Sequence, residues 1–342
     1  MREPAFWYRP PSLMSRLLSP LGAIYGAATA WRMGRKGRSV GIPVICIGNY
    51  HVGGAGKTPA TIKLAQILRA SGETPFVVSR GYGGRLHGPV RVQPGVHSAL
   101  DIGDEPLMMS FRVPVVVSRG RVAGAALAKS EGASVILLDD GFQNPTLTKD
   151  LSLIVIDATR GVGNGQVFPA GPLRAPLSAQ TLRTDALIVV GEGRGADGVA
   201  DALKQRGVHV LQAALKADPK SVAPLRGQRV MAFAGIGDPG RFFSTLRANG
   251  VNVVEERRFA DHHVFSATQI ESLLTNAVAK SLKLVTTEKD MARIRSDARL
   301  AHSANEIATL EVTLEFDDEE QLRSLAVKSL ADSRNRIFKS QD

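Results

Sequence analysis

Residues 51–58 read H-V-G-G-A-G-K-T (His51, Val52, Gly53, Gly54, Ala55, Gly56, Lys57, Thr58), with Pro59 directly after them. Upstream, residues 42–48 (I-P-V-I-C-I-G) form a short apolar, β-branched run that predicts a buried strand. Downstream, residues 60–70 predict a helix with Leu64, Ile67 and Leu68 on its apolar face. Strand, glycine-rich turn and helix are the setting that a phosphate-binding loop requires. The glycines let backbone N–H groups curl around phosphate oxygens, and the helix N-terminus adds its positive end. Lys57 is expected to reach the β- and γ-phosphates, and the Thr58 hydroxyl to hold Mg2+. Pro59 suits the first helical turn, where its missing N–H leaves no bond unmade.

The usual pattern, G-x-x-x-x-G-K-[S/T], has glycine where this chain has His51. The G-K-T that remains after a buried strand is specific. It leads us to expect a nucleoside triphosphate cradled by residues 51–58, in preference to a glycine-rich turn with no ligand.

A chain of 342 residues is long enough for two domains. Its one cysteine, Cys46, lies inside the strand before the loop, so no intrachain disulfide can form and a reducing compartment is expected. The net charge of +11 calls for an acidic partner: phosphate, nucleic acid or an anionic membrane surface. No basic motif interleaved with aromatics is present, so nucleic acid is not expected among the partners.

Residues 1–38 stand apart. Arg2 and Arg9 flank Phe6, Trp7 and Tyr8; then Leu17, Leu21, Ile24, Ala28 and Trp31 recur at helical spacing, and Arg32, Arg35, Lys36 and Arg38 close the segment. No small-residue cleavage site marks a signal peptide, and Arg16 and Pro20 interrupt any transmembrane span. An amphipathic, membrane-associated helix lying in the interface is expected, with packing on the protein's own core as the alternative.

From residue 43 strands and helices alternate. Strands are expected at 43–48, 75–79, 113–118, 134–139, 152–157 and 185–190, with helices such as 60–70 and 121–131 between them. Near-continuous apolar strands are those of a parallel sheet covered on both faces. The fold class expected is therefore α/β: a doubly wound domain of the P-loop NTPase type, with ligands at the carboxyl ends of its strands, plus a second, smaller α/β domain. The second unit starts near Pro224, with strands at 229–234, 251–255 and 282–287 and a helix at 240–249. The tail adds one strand (T-L-E-V-T-L-E-F, 309–316) and a helix from Asp318. The expected organisation is thus 1–38, 39–223 and 224–342, the C-terminal tail being free to pack back on the first domain. Gly235, Gly237 and Gly240 spell G-x-G-x-x-G with Glu255 beyond, but a tight strand-to-helix turn is preferred to a second nucleotide site.

Four groups of residues could do chemistry. Asp139 and Asp140 end an apolar strand (S-V-I-L-L-D-D-G-F-Q), where a P-loop enzyme keeps the carboxylate that directs Mg2+. Asp104 and Glu105 lie in a glycine-flanked loop before a helix; a carboxylate here could take a proton from an alcohol, or equally cap the helix. Asp261-His262-His263 sets acid beside imidazole, without the further ligands a metal site needs. Arg80, Arg160 and Arg174 occupy glycine-rich loops after strands and suit an anionic substrate.

These pieces occur together in a recognisable order: G-N-Y-H-V-G-G-A-G-K-T-P, S-R-G-Y-G-G, G-D-E-P, L-L-D-D-G-F-Q, G-N-G-Q-V-F-P-A-G-P-L-R, A-G-I-G-D-P-G-R-F, A-D-H-H and V-T-T-E-K-D. Up to about residue 295, the chain resembles the tetraacyldisaccharide 4′-kinases, the lipid A 4′-kinases of Gram-negative bacteria. The resemblance implies transfer of the ATP γ-phosphate to the 4′-hydroxyl of a glycolipid, tetraacyldisaccharide 1-phosphate, at the cytoplasmic face of the inner membrane. It also implies two α/β domains with the active site between them. By resemblance Asp104 is the catalytic aspartate, paired with His262. Lys57 and Thr58 hold ATP and Mg2+, Asp139, Asp140 and Glu105 complete the metal and catalytic shell, and Arg174 touches phosphate. Residues 79–84 and 287–290 match motifs to which the sequence assigns no role.

Three positions depart from the family pattern: His51 stands where Ser or Thr is usual, Ala175 where an acid is common, and Asn144 where His is usual. Lys57, Thr58, Asp104 and His262 remain, so an active kinase is expected. A membrane-recruited P-loop ATPase switch is the alternative; that class resembles K-G-G-x-G-K-T, and here the lysine position is Val52. A membrane-binding module with a vestigial loop is a third reading, which the intact G-K-T and paired aspartates disfavour.

Overall fold

The computed structural model describes residues 3–54 and 56–339. Ala55, expected in the phosphate cradle, lies outside the described residues. By contact the chain divides into two units: Met1–Arg80, Ser118–Leu215 and Leu314–Asp342 make one, Gly81–Val117 and Lys216–Thr313 the other. The expected linear division into 39–223 and 224–342 differs from this one. Residues 81–117 fall with the second unit, and the tail from Leu314 falls with the first.

The first unit holds the expected parallel sheet. Its strands run side by side in the order His209–Ala217, Ala186–Val190, Leu151–Asp157, Val44–Gly48, Val135–Asp139 and Pro75–Ser79, and each neighbouring pair is parallel. Val44–Gly48 is buried along its whole length, as the apolar run predicts. It lies between Val135–Asp139 and Leu151–Asp157, with Ile47 opposite Asp139 and Gly48 opposite Ile154. The loop that follows it therefore leaves the carboxyl edge of the sheet beside Asp139 and Asp140, where open α/β sheets bind ligands.

The N-terminal helix, Leu13–Met33, starts on Ser12, whose hydroxyl accepts the Ser15 N–H. Its inward face is made of small residues: Ser15, Gly22, Gly26 and Thr29 are buried together with Met33. A Cβ at Gly22 would fall 2.8 Å from the Val167 carbonyl oxygen, so only glycine allows this approach. Its large apolar side chains point the other way, with Leu13, Leu17, Leu21, Ile24 and Trp31 all more than half exposed. The helix is thus more apolar outside than inside. Among the described residues no helix is long and apolar enough to cross a membrane.

The second unit is built on four parallel strands in the order Asn252–Arg258, Arg229–Ala234, Lys283–Thr287 and Ala308–Leu310. Strand alternation divides its core: Met231 and Phe233 face one cluster with Phe265, Ile270 and Ile294. Val230, Ala232 and Ala234 face another with Phe243 and Leu246. From residues 81–117 come the helix Asp104–Ser110 and the antiparallel pair Val90–Arg91 and Val115–Val117. Helix Glu288–Ser296 packs against Asp104–Ser110.

The tail differs from the single strand expected over 309–316. Ala308–Leu310 and Val312–Phe316 are separate strands in different sheets. The break is Glu311, whose N–H goes to the Ser221 hydroxyl and whose carbonyl accepts the Asp218 N–H, so its backbone bonds leave the ladder.

Candidate active site

In the first unit the phosphate-binding loop is braced from behind. Asn49 donates from its side-chain amide to the Gly53 carbonyl at 3.0 Å, Val52 N–H to Pro172 O at 2.8 Å, and Gln143 Nε2 to Asn49 O at 2.8 Å. Gly56 closes the loop at φ 87°, a conformation glycine adopts without strain, and helix Lys57–Ala70 follows. Lys57 and Thr58 occupy its first turn, whose backbone N–H groups have no partner within the helix.

Asp140 sits one residue past its strand at φ 49°. Its Oδ1 lies 3.6 Å from Lys57 Nζ and accepts a hydrogen bond from Arg174 Nη1 at 2.8 Å. Arg174 Nε also donates to the His51 carbonyl at 3.0 Å, tying this cation to the loop. Burial opposes ionisation of Asp140, but Lys57 and Arg174 beside it hold its carboxyl below the ordinary value. Asp139, inside the strand end, accepts from the Ser79 hydroxyl at 2.9 Å. Ser79, the first residue of the 79–84 motif, thereby gains a part in the site that the sequence did not assign.

The donor set of this half fits a triphosphate with a divalent cation. It offers a helix N-terminus, a lysine and an arginine for phosphate, with the Thr58 hydroxyl and one or two carboxylates for a cation that keeps most of its shell from phosphate and water. A Cβ placed on Gly54 would meet nothing within 4 Å, so the face of the loop is open there. His51 enters differently from the expectation. Its side chain is fully buried, its Nδ1 lies 3.1 Å from the Val52 carbonyl, and burial lowers its pKa, so it lines the loop as a neutral ring.

The other two arginines are elsewhere. Arg160 pairs with Glu3 at 3.3 Å and lies over the Tyr8 ring, and Arg80 is exposed. Two family departures are local: Ala175 is fully buried, and Asn144 Oδ1 accepts from Thr146 N–H and hydroxyl in its own turn.

In the second unit Asp104 begins helix Asp104–Ser110. Gly103 is the capping residue, so the capping role left open for Asp104 does not apply. Its carboxylate is instead gripped from two sides. Arg293 donates from Nε to Oδ1 at 3.0 Å and from Nη2 to Oδ2 at 2.5 Å, the paired geometry of a guanidinium on a carboxylate. His262 Nδ1 meets Oδ2 at 2.5 Å, although 158 residues separate the two in sequence. Burial pushes the Asp104 carboxyl up, but the bonds and charge of Arg293, then His262 and Lys289, carry it below the ordinary value. An ionised carboxylate only accepts, so His262 Nδ1 is the donor of this bond, while Nε2 on the other side of the ring lies 3.6 Å from Asp261 Oδ2. His262 itself has φ 60°, rare for a residue other than glycine and held here by its surroundings. A cavity of about 190 Å³ opens beside the pair, lined by Tyr82, Leu100, Val264 and Phe265 among others. Glu105 is exposed on the first turn of the same helix.

Sequence reasoning missed Arg293, Asp290 and Lys289 as parts of this cluster. The only trace was V-T-T-E-K-D followed at helical spacing by Arg293. The G-x-G-x-x-G turn is drawn into the same network, since Gly235 N–H donates to Asp290 Oδ2 and its carbonyl accepts from Arg293 Nη1.

The chain as a whole is similar to known proteins. A family profile described as Tetraacyldisaccharide-1-P 4′-kinase matches residues 14–331. A protein of Nitrobacter hamburgensis named tetraacyldisaccharide 4′-kinase is 61% identical over 98% of this chain and 100% of that protein. One of the same name from Nitrobacter winogradskyi is 60% identical over 98% and 99%. The solved structure of LpxK from Aquifex aeolicus in complex with ATP matches with a TM-score of 0.73 at 25% identity, covering 93% of this chain and 100% of that one. The chain therefore belongs to the tetraacyldisaccharide-1-P 4′-kinase family.

Proposed function

We propose that this chain phosphorylates the 4′-hydroxyl of tetraacyldisaccharide 1-phosphate from ATP, a step of lipid A biosynthesis. The observation that carries the reading is the Asp104–His262 contact: an ionised carboxylate held against an imidazole, beside a cavity, in a chain that also holds a phosphate-binding loop. The 4′-oxygen attacks the γ-phosphorus, the bond from γ-phosphorus to the bridging oxygen breaks, and ADP leaves. The hydroxyl proton passes to the Asp104–His262 pair. On Asp104, Oδ2 already accepts from both Arg293 and His262, whereas Oδ1 accepts only from Arg293 Nε and keeps a lone pair for the hydroxyl. Lys57 and Arg174 orient the phosphates and neutralise charge as the bridging bond breaks. Thr58, Asp139 and Asp140 are the residues that would hold Mg2+, whose contribution is to offset charge on the phosphate oxygens. Glu105, exposed in the second unit, stays a candidate for the same shell.

The reading includes a location. Helix Leu13–Met33 turns Leu17, Leu21, Ile24 and Trp31 outward, with Arg16 and Arg32 on the same helix. Such a helix supports shallow association with an anionic surface, here the cytoplasmic face of the inner membrane that supplies the glycolipid.

The test follows γ-labelled ATP with Mg2+ and tetraacyldisaccharide 1-phosphate in detergent micelles. Label is expected in the extracted glycolipid, and Asp104→Ala or His262→Ala should lower its rate by about 10²–10⁴-fold with ATP affinity kept. Label released only as free phosphate, independent of the lipid, would overturn the reading in favour of an ATPase switch.

A further inference from the structure

Asp104 is held by a chain of buried groups that the reaction as described does not use. Arg293 is almost wholly enclosed, with 6% of its side chain exposed, and its donors are divided with little left over. Nε and Nη2 hold the two oxygens of Asp104, while Nη1 donates to Asp290 Oδ1 at 2.6 Å and to the Gly235 carbonyl at 2.8 Å. Asp290 has no exposed surface and is fixed in turn: its Oδ2 accepts from the Thr287 hydroxyl at 2.8 Å and from Gly235 N–H at 3.0 Å. The line therefore runs from the ends of two core strands, Arg229–Ala234 and Lys283–Thr287, through Asp290 and Arg293 to the carboxylate beside the cavity.

Charge balance alone does not call for this arrangement. Lys289 Nζ is also near Asp104, at 3.9 Å, so a cation would face the carboxylate without Arg293. What the guanidinium adds is direction. A planar fork on both oxygens permits one rotation of the carboxylate, whereas an ammonium permits many. That rotation decides which lone pair of Oδ1 is open and where Oδ2 presents itself to His262 Nδ1.

We propose that Arg293 is a positioning residue for phosphoryl transfer: held by Asp290, it fixes the rotation of the Asp104 carboxylate so that Asp104 and His262 together meet the acceptor hydroxyl in one orientation. The inference rests on the reading of Asp104 as the acceptor-side base. Arg293 touches no reacting atom, so its loss slows the step at saturating substrate without weakening the nucleotide.

The experiment uses the full chain in detergent micelles with ATP, Mg2+ and tetraacyldisaccharide 1-phosphate. It measures kcat, KM for ATP and melting temperature for the native protein, Arg293→Ala, Arg293→Lys and Asp104→Ala. Arg293→Ala should lower kcat by about 10²-fold, the usual cost of a reacting group displaced by about 1 Å. KM for ATP should stay within about threefold, and millimolar guanidinium chloride should restore about tenfold of the loss by refilling the fork. Arg293→Lys keeps the charge and loses the fork, so its kcat should still fall about tenfold. A folded Arg293→Ala protein with near-native kcat overturns the proposal, as does a parallel loss of kcat and ATP affinity that guanidinium does not rescue. If Arg293→Ala does not fold, Arg293→Lys decides: near-native kcat overturns the proposal, and reduced kcat with ATP binding kept supports it. Turnover retained in Asp104→Ala removes the base assignment itself. An inactive Asp104→Ala beside an active Arg293→Ala removes only the positioning role.

Discussion

Replacing Asp140 by asparagine isolates one charge of the nucleotide half. The φ of 49° at this residue lies in the left-handed region, which asparagine tolerates better than other residues with a side chain, so the backbone keeps its place. What is lost is an anion 2.8 Å from Arg174 Nη1 and 3.6 Å from Lys57 Nζ. Pairs near such distances interact by about 4 kcal/mol at the effective dielectric of a site near the surface, and by about 1 kcal/mol in water. The Asp140 side chain is 37% exposed, which points to the lower figure, about 1 kcal/mol per pair. The amide oxygen still accepts a neutral hydrogen bond from Arg174, leaving a net loss of about 1–2 kcal/mol. For a unit of this size that lowers the melting temperature without nucleotide by about 3–6 °C. Function should move in two directions. With Lys57 and Arg174 released, ATP in EDTA should bind at least as tightly as to the native protein. Turnover should need at least about tenfold more Mg2+ for half its maximum, as when a ligand-supporting group is lost. Melting curves, ATP titrations in EDTA and a Mg2+ titration of turnover check the three together. A lowered melting temperature with an unchanged Mg2+ requirement would refute the reasoning and leave Asp140 as a structural counter-ion.

Two further outcomes can be measured independently. Asp104 is held below its ordinary carboxyl value in the folded state. It therefore contributes stability that is present above the ordinary carboxylate range and lost as pH falls through the folded value, below about pH 4. In acid melts the gap between native protein and Asp104→Asn should narrow as pH drops, and parallel curves would contradict the pairing with Arg293. On the N-terminal helix, Leu17 and Ile24 are 68% and 69% exposed, and burying each in lipid is worth about 1.5–3 kcal/mol. Changing both to glutamate should weaken sedimentation with anionic vesicles by at least about tenfold at an unchanged melting temperature. Unchanged sedimentation would remove the membrane reading.

The parts legible in the sequence were those where one physical signal dominates a short stretch. Apolar, β-branched runs such as 43–48 and 75–79 come within a residue of the strands Val44–Gly48 and Pro75–Ser79, because strands buried on both faces must be apolar throughout. The G-K-T turn followed for the same reason. His209–Ala217, by contrast, is rich in Ala, Leu, Gln and Lys, residues that favour helix, and its burial is partial; only its pairing with Ala186–Val190 makes it a strand. The run 309–316 alternates well enough to read as one strand, and the bonds that divide it at Glu311 come from residues 218 and 221. At the site, Asp104 and His262 were visible as residues, but whether Asp104 caps a helix or faces an imidazole is a tertiary question. The grip of Arg293 spans 189 residues, and its helical spacing from V-T-T-E-K-D shows the cation without showing what it holds.

The chain passes from one unit to the other after Arg80, Val117, Leu215 and Thr313. Anyone dissecting the gene into fragments meets the consequence at once. A fragment cut as a C-terminal domain from Lys216 carries His262, Asp290 and Arg293 but leaves Asp104 behind on the upstream piece. A fragment ending at Leu215 carries Asp104 without the cation and imidazole that grip it. Neither fragment encodes the complete dyad, so excising half of the gene cannot yield a minimal acceptor-side module. To obtain one, residues 81–117 would have to be spliced onto 216–313 by an engineered linker, a rearrangement of chain order and not a truncation.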